Sequence, residues 1–194
     1  MASDLSCIQY QLSRNNPTAL KELYDLLGNK LLQLARAMVH SREEAEEVVE
    51  DVFIRIWEKR DSLAHVENFR WYLYVTTRNI SFNYIRKYGK RTTLQLDDIY
   101  VPPFAVDATP EDMMITREVL NRINQAIHEL PAKCRLVFKL VKEDGLKYRE
   151  VAELLDISLK TVENQVGIAL KKLHAAMQLH LPAGMSATPV RRER

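Results

Sequence analysis

The stretch that decides the fold is residues 148–173, YREVAELLDISLKTVENQVGIALKKL. Apolar side chains recur every three or four residues on both sides of Asp156-Ile157-Ser158, which predicts two amphipathic helices joined by a short turn. Ala152 is small enough for two helices to cross closely. Asp156 tolerates the left-handed backbone of such a turn, and Ser158 is a good N-cap for the helix that follows. The spacing therefore predicts a helix-turn-helix.

The second helix of this pair has two contrasting faces. Its predicted buried stripe is Val162, Val166, Ala169, Leu170 and Leu173. The opposite face has polar groups first and lysines last: Lys160, Thr161, Glu163, Asn164, Gln165, Ile168, Lys171 and Lys172. Amide side chains can form paired hydrogen bonds to adenine, whereas lysines suit phosphates. We interpret this helix as a DNA reader, and the alternative is a solvated helix of an ordinary bundle.

The composition excludes several classes of protein. With 28 Lys and Arg, 26 Asp and Glu and a net charge of +2, the overall balance says little about partners. The two cysteines, Cys7 and Cys134, have no zinc-binding spacing, and the five histidines are scattered, so we expect no metal and no cofactor. Cys134 lies on an apolar stripe, which favours an inert buried thiol. No apolar run reaches the ~20 residues of a membrane span, so we expect a protein of the reducing cytoplasm without membrane insertion.

The rest of the chain also has helical periodicity, and strand-like alternation is absent. We therefore predict an all-α fold. The predicted helix starts are Asn16-Pro17, the capping box of Ser41 and Glu44, Asn68, and Thr109-Pro110, with a shorter leading helix within residues 1–15. In the first long helix the predicted buried stripe includes Tyr24.

Charge is segregated along the chain. Residues 43–51 hold six acids and no base, residues 78–91 five bases and no acid, and residues 92–115 five acids and no base. The basic run alternates with amides and aromatics, which is the chemistry of single-strand or melted-duplex binding; a solvated helix end is the alternative. Its candidate DNA-binding residues are Arg78, Asn79, Asn83, Arg86 and Lys87.

A change of composition divides the chain. From residue 92 to 108 the helical period disappears, Pro102-Pro103 interrupts it, and acids replace bases. We predict two small helical domains, at residues 1–91 and 109–181, joined by a flexible acidic linker at 92–108. The C-terminal domain contains the helix-turn-helix, and residues 182–194 form a disordered basic tail.

Three stretches, in this order, resemble the extracytoplasmic-function (ECF) sigma factors of bacterial RNA polymerase. They are AEEVVEDVFIRIW at 45–57, NFRWYLYVTTRNISFNYIRK at 68–87, and LPAKCRLVFKL at 130–140 together with the helix-turn-helix. The resemblance implies a factor that does no chemistry, binds RNA polymerase core and directs initiation at chosen promoters. It also implies promoter DNA and an anti-sigma factor as partners.

The resemblance assigns roles to the candidate residues. Asp51, Ile54, Arg55 and Glu58 would dock on polymerase, with Phe53 and Trp57 in the core. Arg78, Asn79, Asn83, Arg86 and Lys87 would meet the minus-10 element, and the loop at 61–68 would hold a flipped-out base. Lys160, Thr161, Glu163, Asn164, Gln165, Lys171 and Lys172 would read the minus-35 element.

Three other functions are alternatives to this interpretation. A response-regulator type of transcription regulator has a similar terminal helix-turn-helix, but its receiver domain would need alternating strands and helices in the N-terminal half. An enzyme would need a catalytic constellation, a phosphate loop or a metal cluster, none of which the sequence contains. A structural helical adaptor would leave both the basic helix and the reading face unexplained.

Overall fold

The computed structural model describes residues 2–39, 41–88 and 113–178. These ranges contain eight α-helices and one 3-10 helix, without a strand, so the predicted all-α class is confirmed. The elements are α1 Ala2–Ser13, α2 Pro17–Met38, α3 Arg42–Glu58, the 3-10 helix Arg60–His65, α4 Phe69–Tyr88, α5 Met113–His128, α6 Ala132–Lys142, α7 Tyr148–Leu155 and α8 Leu159–Gln178. The predicted linker at 92–108, the tail at 182–194 and the Thr109-Pro110 start lie outside the described residues.

Side-chain caps begin the helices where the sequence predicts them. Each cap oxygen accepts a backbone N–H that the first turn of a helix leaves without an intrahelical partner. The pairs are Asn16 Oδ1 with the Thr18 N–H (3.0 Å), Ser41 Oγ with the Glu44 N–H (3.1 Å) and Asn68 Oδ1 with the Trp71 N–H (3.1 Å).

In the N-terminal group of helices, α2 packs against α3 and α4, while α1 packs against α2 and the 3-10 helix. The side chains that close this core are fully buried: Leu12, Leu23, Leu27, Leu31, Leu34, Ile56, Leu63 and Leu73. The prediction for Tyr24 is wrong, because this side chain is 55% exposed. Its ring packs beside that of Phe53, with a centroid distance of 5.1 Å, and lies along the α2 surface next to Gly28, where the missing side chain leaves room for it.

In the C-terminal group, α8 packs against α5, α6 and α7. Val162, Val166 and Ala169 are buried as predicted, but Leu170 is 46% exposed, so its assignment to the stripe is wrong. Residue 170 follows Val162 by eight positions, which places it about 80° around a helix of 3.6 residues per turn. It therefore lies at the edge of the buried face.

The two groups contact each other where α4 meets α7. We call the polar residues at this contact the Asp144 cluster: Lys30, Asn68, Arg70, Asp144 and Glu150. Lys30 Nζ lies 3.2 Å from Asp144 Oδ1, and Arg70 Nη1 donates to the backbone oxygen of Asp144 at 2.6 Å. Asn68 Nδ2 donates to Glu150 Oε1 at 3.0 Å. No local sequence pattern predicts this contact, because Lys30 and Asp144 are more than 100 positions apart.

Asp144 and the ionisable groups near it are buried or half-buried. Asp144 is 1% exposed, and its Oδ1 has no hydrogen-bond partner in the described part of the chain, so its pairing with Lys30 rests on proximity of charge. Burial, reinforced by the nearby carboxylate of Asp144, raises the pKa of the Tyr74 phenol well above its usual value. Burial also raises the pKa of Glu143, although the ammonium of Lys139 opposes this effect.

Candidate DNA-binding and docking surfaces

The predicted helix-turn-helix is present as α7 and α8. Between them Asp156 has φ 52° and ψ 51°, the left-handed conformation that the sequence called for. Ser158 Oγ accepts the Thr161 N–H at 3.0 Å and caps α8. The sequence predicts both the left-handed backbone of Asp156 and the Ser158 cap, because each depends only on that residue and its immediate neighbours.

All seven residues of the predicted minus-35 set lie on α8, at or near its outer face. Lys160, Glu163, Asn164, Lys171 and Lys172 are exposed, whereas Thr161 and Gln165 are half-buried. Three members form side-chain contacts near the start of the helix: Lys160 Nζ lies 3.2 Å from Glu163 Oε2, and Thr161 Oγ1 lies 2.8 Å from Ser158 Oγ. The side-chain amides of Asn164 and Gln165 have no hydrogen-bond partner among the described residues.

The predicted minus-10 set forms a basic surface on the second half of α4. Asn79, Asn83, Arg86 and Lys87 are exposed. Arg78 is half-buried, and its guanidinium lies over the ring of Phe82, 4.8 Å from the centroid. A recess of about 430 Å³ is lined by Asn79, Phe82, Asn83, Ile85 and Arg86. The surface thus combines cations, amides and an aromatic ring that is 38% exposed.

The predicted docking residues lie on the outer face of α3. Asp51, Ile54, Arg55 and Glu58 are all exposed, and Ile54 presents 56% of its surface to solvent. Phe53 is buried and Trp57 half-buried, which confirms both as core residues. The Tyr84 hydroxyl donates to Asp51 Oδ2 at 2.9 Å, so α4 is hydrogen-bonded to this face.

The segment between α3 and α4, where the resemblance implies a loop at 61–68, contains the 3-10 helix. Leu63 is fully buried and fastens the loop to the core, whereas Asp61 and His65 are exposed. The Gln9 side chain of α1 donates hydrogen bonds to two backbone oxygens of this loop, those of Leu63 and Val66. The sequence does not predict these contacts, because the partners are more than 50 positions apart.

Cys134 is fully buried in α6, and its Sγ donates to the backbone oxygen of Gln165 at 3.2 Å. Burial raises the pKa of this thiol, which keeps it protonated. The prediction of an inert thiol therefore fits its surroundings. In the part of the chain that the structure describes, no three His, Cys, Asp or Glu side chains are grouped so that they could hold a metal ion.

Comparison with known proteins identifies the family. Residues 23–91 match the family model described as Sigma-70 region 2, and residues 120–173 match Sigma-70, region 4. The ECF RNA polymerase sigma factor SigW of Bacillus subtilis (strain 168) is 30% identical over 165 residues, covering 80% of this chain and 87% of SigW. The chain belongs to the ECF sigma factors. This sigma factor therefore serves with RNA polymerase core and promoter DNA in transcription initiation, and the response-regulator alternative is excluded.

The chain is also similar to other known proteins over most of its length. This sigma factor is 25% identical over 169 residues to the RNA polymerase sigma-H factor of Pseudomonas aeruginosa, covering 81% of the chain and 88% of the relative. A solved structure of CnrH in complex with the cytosolic domain of CnrY aligns with 90% of the chain and 97% of CnrH, at 23% identity and a TM-score of 0.47. Among the described helices, none has the length and apolar character that a membrane crossing requires.

Proposed function

We propose that this ECF sigma factor grips core polymerase with the outer face of α3 and reads two promoter elements, one with α4 and one with α8. In this proposal residues 1–91 and 109–181 are the two working domains, and residues 92–108 connect them. The protein itself does no chemistry and acts in the cytoplasm. Its contribution is to position the polymerase and to stabilise opened DNA.

The observation that carries the docking assignment is the exposure of Ile54. The other Val, Ile and Phe side chains of α3 are buried, whereas Ile54 is 56% exposed with Asp51, Arg55 and Glu58 around it. An apolar centre with a polar rim is the usual anatomy of a protein interface. Covering such a side chain with a partner contributes about 1–2 kcal/mol.

The assignment of α8 to the minus-35 element rests on Asn164 and Gln165. Their amides have no hydrogen-bond partner within the described residues, and they lie near the N-terminal end of the second helix of the pair, which is the end that contacts base edges in helix-turn-helix proteins. A bidentate amide–adenine pair contributes about 1–3 kcal/mol of discrimination. Lys171 and Lys172 lie farther along α8, where they suit phosphates.

The assignment of α4 to the minus-10 element rests on its second half. Arg78 is held over the ring of Phe82, and the adjoining recess offers amides and a further cation at Arg86. Unpaired bases stack on such rings and guanidinium groups, each stack contributing about 1–3 kcal/mol. In this proposal the loop at 61–68 receives an unstacked base and so offsets the few kcal/mol that unstacking requires.

An anti-sigma factor is the third partner in this proposal. A groove of about 500 Å³ between α2 and α3 has Tyr24, Leu32 and Glu50 in its lining, and Glu50 precedes the docking residue Asp51 in α3. An inhibitor that fills this groove and extends over Ile54 would exclude core polymerase from the docking face of α3. We therefore expect an added anti-sigma factor to displace this sigma factor from core polymerase.

The docking assignment is tested by assembly with core polymerase. Asp51 and Arg55 are exposed, and losing the Tyr84–Asp51 hydrogen bond costs the fold only about 0.5–1.5 kcal/mol. Because charge reversal opposes the partner, we expect Asp51→Arg and Arg55→Glu each to abolish the mobility shift of core polymerase. Lys133→Glu, at an exposed cation of α6, is the matched control and should assemble normally. Normal assembly by both α3 variants would remove this docking assignment.

The DNA-reading assignment is tested with promoters defined from the transcripts that core polymerase and this sigma factor make together. Asn164→Ala and Gln165→Ala should each lower transcription from these promoters about 10-fold while core assembly is unchanged. A loss of core assembly in the same variants would indicate a folding defect, and unchanged transcription would contradict the assignment of α8.

A further inference from the structure

Helix α1 lies outside the matched Sigma-70 region 2, which begins at residue 23, yet it contacts the loop between α3 and α4. Its side chain Gln9 is half-buried against that loop. Gln9 Nε2 donates to the backbone oxygens of Leu63 at 2.7 Å and Val66 at 2.8 Å. A primary amide has two N–H groups, so both are used on the loop backbone.

A second tether holds the start of the loop. The Arg60 guanidinium lies over the Trp57 ring, 4.7 Å from the centroid, and its Nη1 donates to the Trp57 backbone oxygen at 2.7 Å. Arg60 Nε also donates to Asn15 Oδ1, in the turn that follows α1. The α1 segment therefore holds the 3-10 helix at its first residue and near its end.

We propose that Gln9 is a positioning residue for base capture: through its paired hydrogen bonds, α1 fixes the backbone of residues 63–66 in the shape that receives an unstacked base. This inference rests on the proposed role of the 61–68 loop. In this proposal Gln9 does not contact the base but keeps the loop ordered before DNA binds. The free-energy cost of ordering the loop is therefore not deducted from the binding free energy that opens the duplex. Exposed neighbours such as Asp61 and His65 remain available to the DNA.

The loss of two hydrogen bonds to loop carbonyls should reduce capture about 10- to 30-fold. The informative variant is Gln9→Met, which keeps side-chain length and helix propensity but has no donor. Gln11→Met is the matched control, because Gln11 lies on the same helix and its side chain contacts Cys7 and Asn16 but not the loop.

The assay uses holoenzyme and fork templates in which the minus-10 strand is unpaired, with a normal base or an abasic sugar at each position in turn. Wild-type holoenzyme should prefer the normal base at one position, and Gln11→Met should retain that preference. Gln9→Met should lose most of it while core assembly and minus-35 binding stay unchanged. A purely structural role of Gln9 would weaken all templates equally.

Two further variants keep the test decisive if Gln9→Met assembles poorly. Gln9→Lys supplies donors and should retain the preference for the normal base, whereas Gln9→Glu directs oxygens at the two carbonyl groups and should abolish it. Equal preference in these two variants, or an intact preference in Gln9→Met, would overturn the proposal. Absence of any preference in the wild-type holoenzyme would instead overturn the proposed role of the loop.

Discussion

Replacement of Lys30 by alanine should destabilise this sigma factor more than replacement of its partner. In the Lys30–Asp144 pair the side chains are 30% and 2% exposed, respectively. Lys30→Ala leaves a buried carboxylate without its cation, whereas Asp144→Asn leaves an ammonium that can turn to solvent. Removing one partner of a fully buried pair costs about 3–5 kcal/mol. Because Lys30 is partly exposed, we expect about 2 kcal/mol for Lys30→Ala and about 1 kcal/mol for Asp144→Asn.

Separation of the two groups of helices would limit the destabilisation caused by Lys30→Ala. If α4 and α7 separate, Asp144 regains water, so the penalty cannot exceed the free energy that holds the two groups of helices together. A compact chain of this length has a radius of gyration of about 16 Å, and separation by a further half domain diameter raises it to about 20 Å. Lys30→Ala should therefore enlarge the molecule as well as lower its stability.

Small-angle scattering and equilibrium urea unfolding measure the two effects. Lys21→Ala, which removes an exposed lysine of the same helix, should change neither. A wild-type radius of gyration in Lys30→Ala, together with a loss of less than about 0.5 kcal/mol in the free energy of unfolding, would contradict this prediction. A larger loss for Asp144→Asn than for Lys30→Ala would also refute it.

Three further predictions follow from single positions. Asp156→Gly should raise the free energy of unfolding by about 0.5–1 kcal/mol in urea titrations, because glycine adopts the left-handed backbone without strain; a loss would mean that the Asp156 side chain stabilises the turn. Cys134 should react with iodoacetamide on the order of 100-fold more slowly than exposed Cys7, because burial keeps its pKa raised, with mass spectrometry as the readout; equal rates would contradict its burial. Lys171→Ala should reduce the salt dependence of holoenzyme binding to promoter DNA by about one ion, measured as the slope of log affinity against log salt; an unchanged slope would exclude a phosphate contact.

The sequence was most informative where a feature depends on neighbouring residues. The caps at Asn16, Ser41 and Asn68 each bond within three residues, and the left-handed turn at Asp156 needs only its own backbone. The outward direction of the docking and minus-35 residues also follows from helical periodicity. The roles of these residues remain predictions, since exposure alone does not name a partner.

Periodicity failed at the edges of helix faces and across long separations. Tyr24 and Leu170 lie beside their buried stripes, where small rotations decide exposure and where Gly28 lets a ring lie on the surface. The pairing of Lys30 with Asp144 joins residues more than 100 positions apart, and Gln9 reaches a loop more than 50 positions away. Such contacts depend on how packed helices come together, which no local pattern encodes.

The contact of α4 with α7 also limits how much DNA the closed molecule can span. Since α7 packs on α8, the two proposed reading helices approach within about two helix diameters, roughly 24 Å, and the second half of α4 extends no more than about 30 Å beyond that contact. Elements centred ten and thirty-five base pairs upstream are about 85 Å apart along B-form DNA at 3.4 Å per base pair. A molecule that reads both elements must first extend. Its apparent affinity for the complete promoter is therefore the affinity of the extended form multiplied by the fraction of molecules that are extended.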